Sequence, residues 1–240
     1  MLEVSSVSAG YGKLQVLFDV SATFPSGKIT VVVGPNGSGK STLLKTIYGL
    51  TRIYKGKIEF EGQDITKIQP HQKVAKGIVY LPQTDNVFDN LTVNENLRIA
   101  GYTLPKEELE ERVERALEIF PILRGYMKRK AKHLSGGEKQ MLAIAMALIK
   151  KPKLIMLDEP TAALAPKVAY QIINVIERLK NELGLTIVLV EQNAKVALKI
   201  GDKAILMVGG RVLYEGSPER LLRDPEFGPT YLGLRGATER

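Results

Sequence analysis

A glycine-rich run with one lysine and two hydroxyl residues is the part of the sequence whose spacing most clearly predicts chemistry. It reads Gly34-Pro35-Asn36-Gly37-Ser38-Gly39-Lys40-Ser41-Thr42, between an apolar β-branched segment and an apolar helical one. Glycines let successive N–H groups turn toward phosphate oxygens, and a helix beginning at Lys40 adds its positive dipole end. Lys40 would reach the β- and γ-phosphates, and the Ser41 hydroxyl suits Mg²⁺. A chance turn is the alternative, but the flanking segments favour a nucleotide-binding loop.

Two carboxylates, Asp158 and Glu159, follow a second apolar segment. In open α/β sheets, ligands bind in the crevice at the ends of such strands. Asp158 would hold Mg²⁺ through its waters, and Glu159 would orient and deprotonate the water that attacks the γ-phosphate. Alone, such a pair is more often a solvated turn. Together with a phosphate loop, it predicts a hydrolytic site.

A buried sheet is needed to bring these residues together. The segments Ile29 to Val33, Leu154 to Leu157 and Thr186 to Val190 are apolar on both faces, which is typical of central parallel strands. Residues 168–183 show apolar positions at helical spacing, and Gly184 marks a helix end. The sequence therefore predicts an α/β fold.

Two other kinds of structure flank this core. The segments Leu2 to Val7, Val16 to Phe24 and Lys57 to Phe60 alternate or carry turn signals, which favours antiparallel strands. From about Asn94 to Lys151 no strand pattern appears, and an apolar stripe at helical spacing predicts helices. We therefore predict one domain, with a core of residues 1–84 and 152–240 and a helical subdomain at about 85–151.

Composition narrows the function further. The chain has 34 Lys+Arg against 26 Asp+Glu, a net charge of +8, which favours anionic partners. The basic clusters lack interleaved aromatic residues, so we expect no nucleic-acid binding. The absence of Cys excludes disulfides and thiolate sites. The N-terminus lacks a secretion signal, and the longest apolar run, Met141 to Ile149, is short of the roughly 18 residues that span a bilayer. We therefore expect a cytosolic protein whose membrane role depends on a partner.

A third motif, Leu134-Ser135-Gly136-Gly137-Glu138-Lys139-Gln140, precedes the acidic pair. With the phosphate loop and acidic strand in this order, the chain strongly resembles the ATP-binding cassette (ABC) ATPases over nearly its whole length. The resemblance implies ATP and Mg²⁺ as cofactors and a P-loop NTPase fold of ABC type. That fold has a mixed or parallel core sheet, an antiparallel β subdomain and an inserted helical subdomain. It also implies a head-to-tail dimer, in which Ser135, Gly136, Gly137 and Glu138 of one chain close on nucleotide held by the other.

Two single residues match the family's pattern. Tyr11, in Ala9-Gly10-Tyr11-Gly12, corresponds to the aromatic residue that stacks on adenine, although a packing role is the alternative. Gln83, in Tyr80-Leu81-Pro82-Gln83, corresponds to the glutamine that touches Mg²⁺ and the attacking water and hinges the helical subdomain. Its alternative is an ordinary loop amide. The resemblance places the docking surface for a membrane partner around Val87 to Leu91.

Two positions depart from the family's pattern. Most ABC ATPases carry a His where this chain has Gln192, and many carry an Asp where it has Ala165. Gln192 can donate an N–H to the γ-phosphate but cannot titrate. It can therefore sense the γ-phosphate, but it cannot shuttle protons. Ala165 removes a polar contact across the implied dimer.

Within the family, the chain looks like the ATPase subunits of branched-chain amino acid importers. This rests on Glu191-Gln192-Asn193, on Leu164-Ala165-Pro166, and on a tail that runs from Gly210 to Gly233. The resemblance implies permease subunits, an extracytoplasmic solute-binding protein, and a homodimer or a heterodimer with a related ATPase. It places the chain at the cytoplasmic face of the cell membrane. Those subunits usually lack glutamine at the position of Gln83, so transport of a different solute is an alternative. A soluble ABC ATPase of a cofactor-assembly system is the other alternative.

Overall fold

The computed structural model describes residues 1–84, 86–224 and 231. The tail match at residues 232–233 and the predicted core beyond residue 224, apart from Tyr231, lie outside the described residues. In chain order the elements are β1 Leu2–Tyr11, β2 Leu14–Phe24, β3 Ile29–Val33, α1 Lys40–Tyr48, β4 Arg52–Phe60, β5 Gln63–Asp64, α2 Pro70–Ala75, β6 Ile78–Leu81, α3 Val93–Ala100, α4 Lys106–Ile119, two 3₁₀ turns at Pro121–Tyr126 and Ala131–His133, α5 Gly136–Ile149, β7 Leu154–Asp158, α6 Pro166–Leu183, β8 Thr186–Val190, α7 Ala194–Ile200, β9 Lys203–Val208, β10 Arg211–Gly216 and α8 Pro218–Arg223.

The central sheet has six strands in the order β10-β9-β3-β8-β7-β6. All neighbours pair in parallel except β10, which pairs antiparallel with β9. β3 and β8 have the predicted bounds, and β7 continues one residue further than predicted, to Asp158. β6 and β9, which complete the parallel set, are absent from the sequence-based prediction. The mixed sheet and the α/β class are confirmed.

Alternation along β3 explains why the central strands are apolar throughout. Val31 and Val33 pack into one core with helices α5 to α7, whereas Val32 packs into a second core. The second core also contains Leu43 and Leu44 of α1 and the inner face of the antiparallel sheet. Because side chains alternate between the faces of a strand, a sheet covered on both sides requires apolar residues at every position.

The second sheet is antiparallel, with the strand order β2-β1-β4-β5. Its strands are longer than predicted: β1 reaches Tyr11, and β4 begins at Arg52. Register shifts interrupt the pairing of β1 with both neighbours, which breaks the polar–apolar alternation that a sequence-based prediction relies on.

Between residues 86 and 151 the structure contains α3, α4, α5 and the two 3₁₀ turns, with a single isolated bridge between Thr92 and Lys130. This agrees with the helical pattern in the sequence. The exact division of the domain at residues 84–85 and 151–152 stays a prediction. None of the helices within residues 1–84 and 86–224 combines the length and apolar character that crossing a bilayer requires.

Candidate active site

The ends of four neighbouring parallel strands meet at one edge of the central sheet. β3 leads into the phosphate loop, β6 into Gln83, β7 into Glu159 and β8 into Gln192. Parallel strands place their carboxyl ends together, so residues far apart in sequence share one cleft. The cleft has a volume of about 500 Å³ and is lined by Val16, Asn36, Gly37, Ser38, Gly39, Lys40, Ser41, Thr42, Gln83, Glu159 and Gln192.

Backbone carbonyl groups hold the lysine of the phosphate loop. Lys40 is 4% exposed, and its Nζ donates to the carbonyl oxygens of Gly34 and Pro35, both at 2.9 Å. Burial lowers the pKa of Lys40, against the opposing effect of the Glu159 and Asp158 carboxylates. α1 begins at Lys40, and no side chain caps its first N–H groups. The start of α1 therefore presents backbone N–H groups and a cation to the cleft, which suits phosphate.

The Asp158 carboxylate is 4% exposed, and both of its oxygens accept hydrogen bonds. Ser41 Oγ donates to Oδ1 at 2.8 Å, and Tyr80 Oη donates to Oδ2 at 2.9 Å. Burial, followed by the nearby carboxylate, raises the pKa of Tyr80, which keeps its phenol protonated. The sequence analysis predicted that Ser41 and Asp158 both serve Mg²⁺, and it did not predict the contact of Tyr80 with Asp158. A hydroxyl-bearing aromatic at a strand end is the only signal in the sequence for it.

Glu159 lies directly after β7 with a backbone φ of 49°, in the left-handed region that non-glycine residues rarely adopt. Its N–H donates to the Val190 carbonyl at 2.9 Å, which holds this conformation. The side chain turns into the cleft, where Glu159 Oε2 accepts from Gln83 Nε2 at 3.2 Å. Backbone strain of this kind is concentrated at functional sites. The structure thus brings Gln83 and Glu159 together at the cleft. Their roles toward Mg²⁺ and the attacking water stay predictions.

After β8, two neighbouring residues have different environments. Gln192 lines the cleft, and its Nε2 donates to Asn36 Oδ1 at 3.4 Å. Glu191 is 3% exposed and accepts the Thr161 N–H at 3.0 Å. Burial, as the largest effect, raises the pKa of Glu191. Glu191 thus anchors the loop that follows the acidic pair, a contact that the sequence analysis did not predict.

Within the described residues, the serine-glycine motif does not line the phosphate-loop cleft, but Gly136 lines an adjoining pocket together with Gln83 and Glu159. Ser135 is the N-cap of α5, and its Oγ accepts the Glu138 N–H at 3.4 Å. The Glu138 carboxylate accepts the Ser135 N–H at 2.7 Å. Burial by itself raises the pKa of Glu138, but the hydrogen bond from the Ser135 N–H and those from the hydroxyls of Tyr126 and Ser135 outweigh it, so the pKa of Glu138 is lowered. The Glu138 carboxylate therefore already accepts hydrogen bonds from its own chain, and its contact with nucleotide stays a prediction.

Close packing explains one of the two glycines in this motif. A Cβ at Gly137 would lie 2.3 Å from Val168 Cγ1 of α6, closer than atoms can approach. At Gly136 the nearest atom would be Leu164 Cδ2 at 3.0 Å, and the residue lies at the helix start. The motif therefore seats α5 against α6 and leaves the first turn of α5 open.

Tyr11 is the last residue of β1 and is 43% exposed. It is not among the residues that line the cleft, within the described part of the chain. A half-exposed ring at a strand end is available for stacking, and its contact with adenine stays a prediction.

The oxygen atoms at the site suit a small hard cation. The Ser41 hydroxyl and the Asp158 carboxylate lie 2.8 Å apart, and the Gln83 amide lies beside Glu159. No group of three His, Cys, Asp or Glu able to hold a metal occurs among residues 1–84, 86–224 and 231. Mg²⁺ usually takes one or two protein ligands and completes its shell with water and substrate phosphates. The residues present therefore fit Mg²⁺ bound together with a nucleotide.

Comparison with known proteins agrees with the fold and shows the family. The protein-family model described as "ABC transporter" matches residues 17–162. The chain belongs to this family as an ABC ATPase. It is 53% identical over 234 residues to a probable branched-chain amino acid transport ATP-binding protein LivF of Archaeoglobus fulgidus, over 98% of this chain and 99% of the relative. It is 42% identical over 233 residues to the high-affinity branched-chain amino acid transport ATP-binding protein BraG of Pseudomonas aeruginosa, over 97% and 100%.

Solved structures agree as well. An ATP-binding cassette of an ABC transporter in its ADP conformation is 32% identical, with a TM-score of 0.86 over 95% of this chain and 96% of that one. A dimeric ATP-binding cassette in a post-hydrolysis state with ADP and Pi is 27% identical, with a TM-score of 0.79 over 91% and 99%.

Proposed function

We propose that this ABC ATPase is the motor subunit of an importer for branched-chain or other hydrophobic amino acids. The observation that carries the ATPase chemistry is the pairing of Gln83 with Glu159 at 3.2 Å beside the phosphate loop. The solute class rests on the full-length similarity to transport proteins for branched-chain amino acids.

Each site residue has a distinct role in ATP hydrolysis. The backbone donors of the loop and Lys40 bind the phosphates of ATP, and Lys40 offsets charge on the γ-phosphate. Glu159 accepts a proton from the attacking water, which Gln83 helps to orient. Gln192 donates a hydrogen bond to the γ-phosphate and senses its presence. Ser41, Asp158 and Gln83 would hold Mg²⁺, which when bound supplies charge neutralisation on the phosphate oxygens.

A second chain completes the site. The first turn of α5 has an N-cap serine and two glycines, so its N–H groups and dipole can face an anion. The described residues of this turn do not line the phosphate-loop cleft of their own chain, although Gly136 lines an adjoining pocket with Gln83 and Glu159. We assign the turn the role in trans that the resemblance implies. ATP then closes a homodimer, or a heterodimer with a related ATPase, and hydrolysis reopens it.

A membrane partner docks on the helical part of the chain. Phe88, Ile99 and Tyr102 of this part are 51%, 40% and 78% exposed, so their apolar side chains are available to a partner. Buried Asn96 holds the neighbouring loop: its Oδ1 accepts the Phe88 N–H at 2.7 Å, and its Nδ2 donates to the Phe88 carbonyl at 3.0 Å. A rigid apolar loop of this kind supports docking by permease subunits, which would hold the chain at the cytoplasmic face of the membrane.

The docking loop is also tied to α5. Lys139 Nζ lies 2.7 Å from Asp89 Oδ1, and Asn86 Nδ2 donates to Gln140 Oε1 at 3.3 Å. Lys139 and Gln140 lie in the first two turns of the helix that begins at the serine-glycine motif. Movement of a docked permease would therefore reach the nucleotide, which supports a transport motor over a soluble ATPase of a cofactor-assembly system.

The test is to purify the chain with the membrane proteins that associate with it. The complex is reconstituted with an extracytoplasmic solute-binding protein, and ATP hydrolysis is measured with leucine, isoleucine or valine and with sulfate as the control. We expect stimulation by the branched-chain amino acids alone. Stimulation by another solute would contradict the proposed cargo, and recovery of the active chain without any membrane protein would contradict the transport role.

A further inference from the structure

Asp158 receives a hydrogen bond that the motifs of the sequence do not explain. Ser41 occupies one carboxylate oxygen, and the Tyr80 hydroxyl occupies the other at 2.9 Å. The carboxylate is 4% exposed, so it can rotate only by breaking both bonds. Hydrogen bonds to a charged acceptor are shorter and stronger than neutral ones.

The position of Tyr80 follows from strand pairing and packing. β6 pairs in parallel with β7, and Tyr80 lies opposite Met156, two residues before Asp158. The Tyr80 ring packs against the second core and contacts the Tyr48 ring, with centroids 5.5 Å apart. Tyr48 is the last residue of α1, the helix whose first turn carries Ser41. The phenol is therefore held in place by the same helix that positions the other donor to Asp158.

We propose that Tyr80 is a positioning residue for the metal site. Its hydroxyl fixes one oxygen of Asp158, so that the other oxygen stays directed toward Ser41 and a cation bound there. The contact that the Tyr80 hydroxyl makes at this site is the hydrogen bond to Asp158 at 2.9 Å, so it acts through Asp158 and not on the nucleotide. This inference rests on the proposed magnesium site.

A purely structural role for the bond makes a different prediction. A structural bond would stabilise the fold and leave the affinity for metal unchanged, whereas a positioning bond changes metal affinity more than nucleotide affinity. Tyr80→Phe removes only the hydroxyl and keeps the ring contacts. Tyr48→Phe is the matched control, because the Tyr48 hydroxyl makes no hydrogen bond to Asp158 within the described residues.

The experiment uses Mn²⁺ as the probe, titrated into full-length protein saturated with a non-hydrolysable ATP analogue and followed by electron paramagnetic resonance. Nucleotide affinity in EDTA is measured in parallel with a fluorescent ATP analogue. For Tyr80→Phe we expect Mn²⁺ to bind about 10- to 100-fold more weakly, the size of effect expected when a metal ligand loses its outer-shell hydrogen bond. We expect less than about a twofold change in metal-free nucleotide affinity, and wild-type values for Tyr48→Phe.

Several results would overturn the inference. These are an unchanged Mn²⁺ affinity in Tyr80→Phe, an equal loss in Tyr48→Phe, or an equal loss of metal-free nucleotide binding. A fall in the Tm of Tyr80→Phe well beyond the few degrees that one hydrogen bond accounts for would show a structural role instead. If the wild type itself bound no Mn²⁺ with nucleotide, the proposed metal site would fail, and the role of Tyr80 with it.

Discussion

Gln83 Nε2 donates to Glu159 Oε2 at 3.2 Å, although 76 residues separate them in the chain. Gln83 follows β6 and Glu159 follows β7, and these two strands pair in parallel. The proposed catalytic base is therefore oriented by the residue at which the chain leaves the core for the helical part. A change in the helical part can reach the carboxylate through one hydrogen bond.

Glu159→Gln should retain nucleotide binding and lower kcat by about 10²- to 10⁴-fold, because the attacking water loses its base. Single-turnover hydrolysis and ATP binding are measured on the same preparation. Glu182→Gln is the control, because Glu182 is an exposed carboxylate paired with Arg178 on α6. Near-normal turnover in Glu159→Gln would contradict the assigned role.

Ser135→Arg should block ATP-driven dimerisation and leave ATP binding by each chain unchanged, because the bulky cation fills the space above the α5 N-terminus. Association is followed by analytical ultracentrifugation in the non-hydrolysing Glu159→Gln background. Ser217→Arg also removes an N-cap serine, whose Oγ accepts the Arg220 N–H at 3.2 Å, but at α8. If both arginine variants lost the dimer equally, the site would not be shared between two chains.

Gly137→Ala should lower the free energy of unfolding by about 1–3 kcal/mol, the usual cost of overpacking. The added Cβ would lie 2.3 Å from Val168 Cγ1, so α5 or α6 must shift. Urea unfolding measures the loss, and Val168→Ala in the same chain should recover most of it relative to Val168→Ala alone. Strict additivity of the two substitutions would exclude this contact as the cause.

Lys73 should make stability depend on pH in the alkaline range. It is fully buried, and its Nζ donates to the Ile47 carbonyl at 2.6 Å. Burial lowers the pKa of Lys73 from 10.5 to about 8. Between these values the unfolded chain keeps a proton that the folded chain has lost, so the free energy of unfolding rises with pH. Below pH 8 both states are protonated, and the folded state bears the full cost of the buried charge.

The measurement is the difference in urea unfolding free energy between the wild type and Lys73→Met from pH 7 to pH 10.5. Other titrating groups are common to both chains and cancel in the difference. We expect this difference to grow in favour of the wild type from about pH 8 upward. A difference that stays flat or falls across this window would contradict the buried-charge assignment.

Gln192→His should add a pH-dependent step to ATP hydrolysis. Glutamine does not titrate, whereas histidine changes charge near pH 6.5 and would lie at the same cleft. The ratio of variant to wild-type kcat is measured from pH 5.5 to 8.5, with Gln192→Asn as the non-titrating control. A ratio that is constant across this range would place residue 192 away from the reacting phosphate.

The sequence by itself determined the local features of this protein. The phosphate loop and the strands Ile29–Val33 and Thr186–Val190, which are apolar on both faces, depend on residues close in the chain, so they can be recognised without the fold. The acidic pair was found in the same way, because it follows an apolar run, whereas Gln192 was singled out by the resemblance to the family.

Only the tertiary structure decided which of these features meet. Ser41 and Asp158 are 117 residues apart, Tyr80 and Asp158 are 78 apart, and Asn36 and Gln192 are 156 apart. Their contacts require β8 to lie between β3 and β7 and β6 to lie at the sheet edge. The packing of the helices on the sheet sets that strand order. The order cannot be read from the strand sequences, because the strands are all apolar and similar in composition. The hydroxyl of Tyr80 acquires a partner only when β6 lies beside β7.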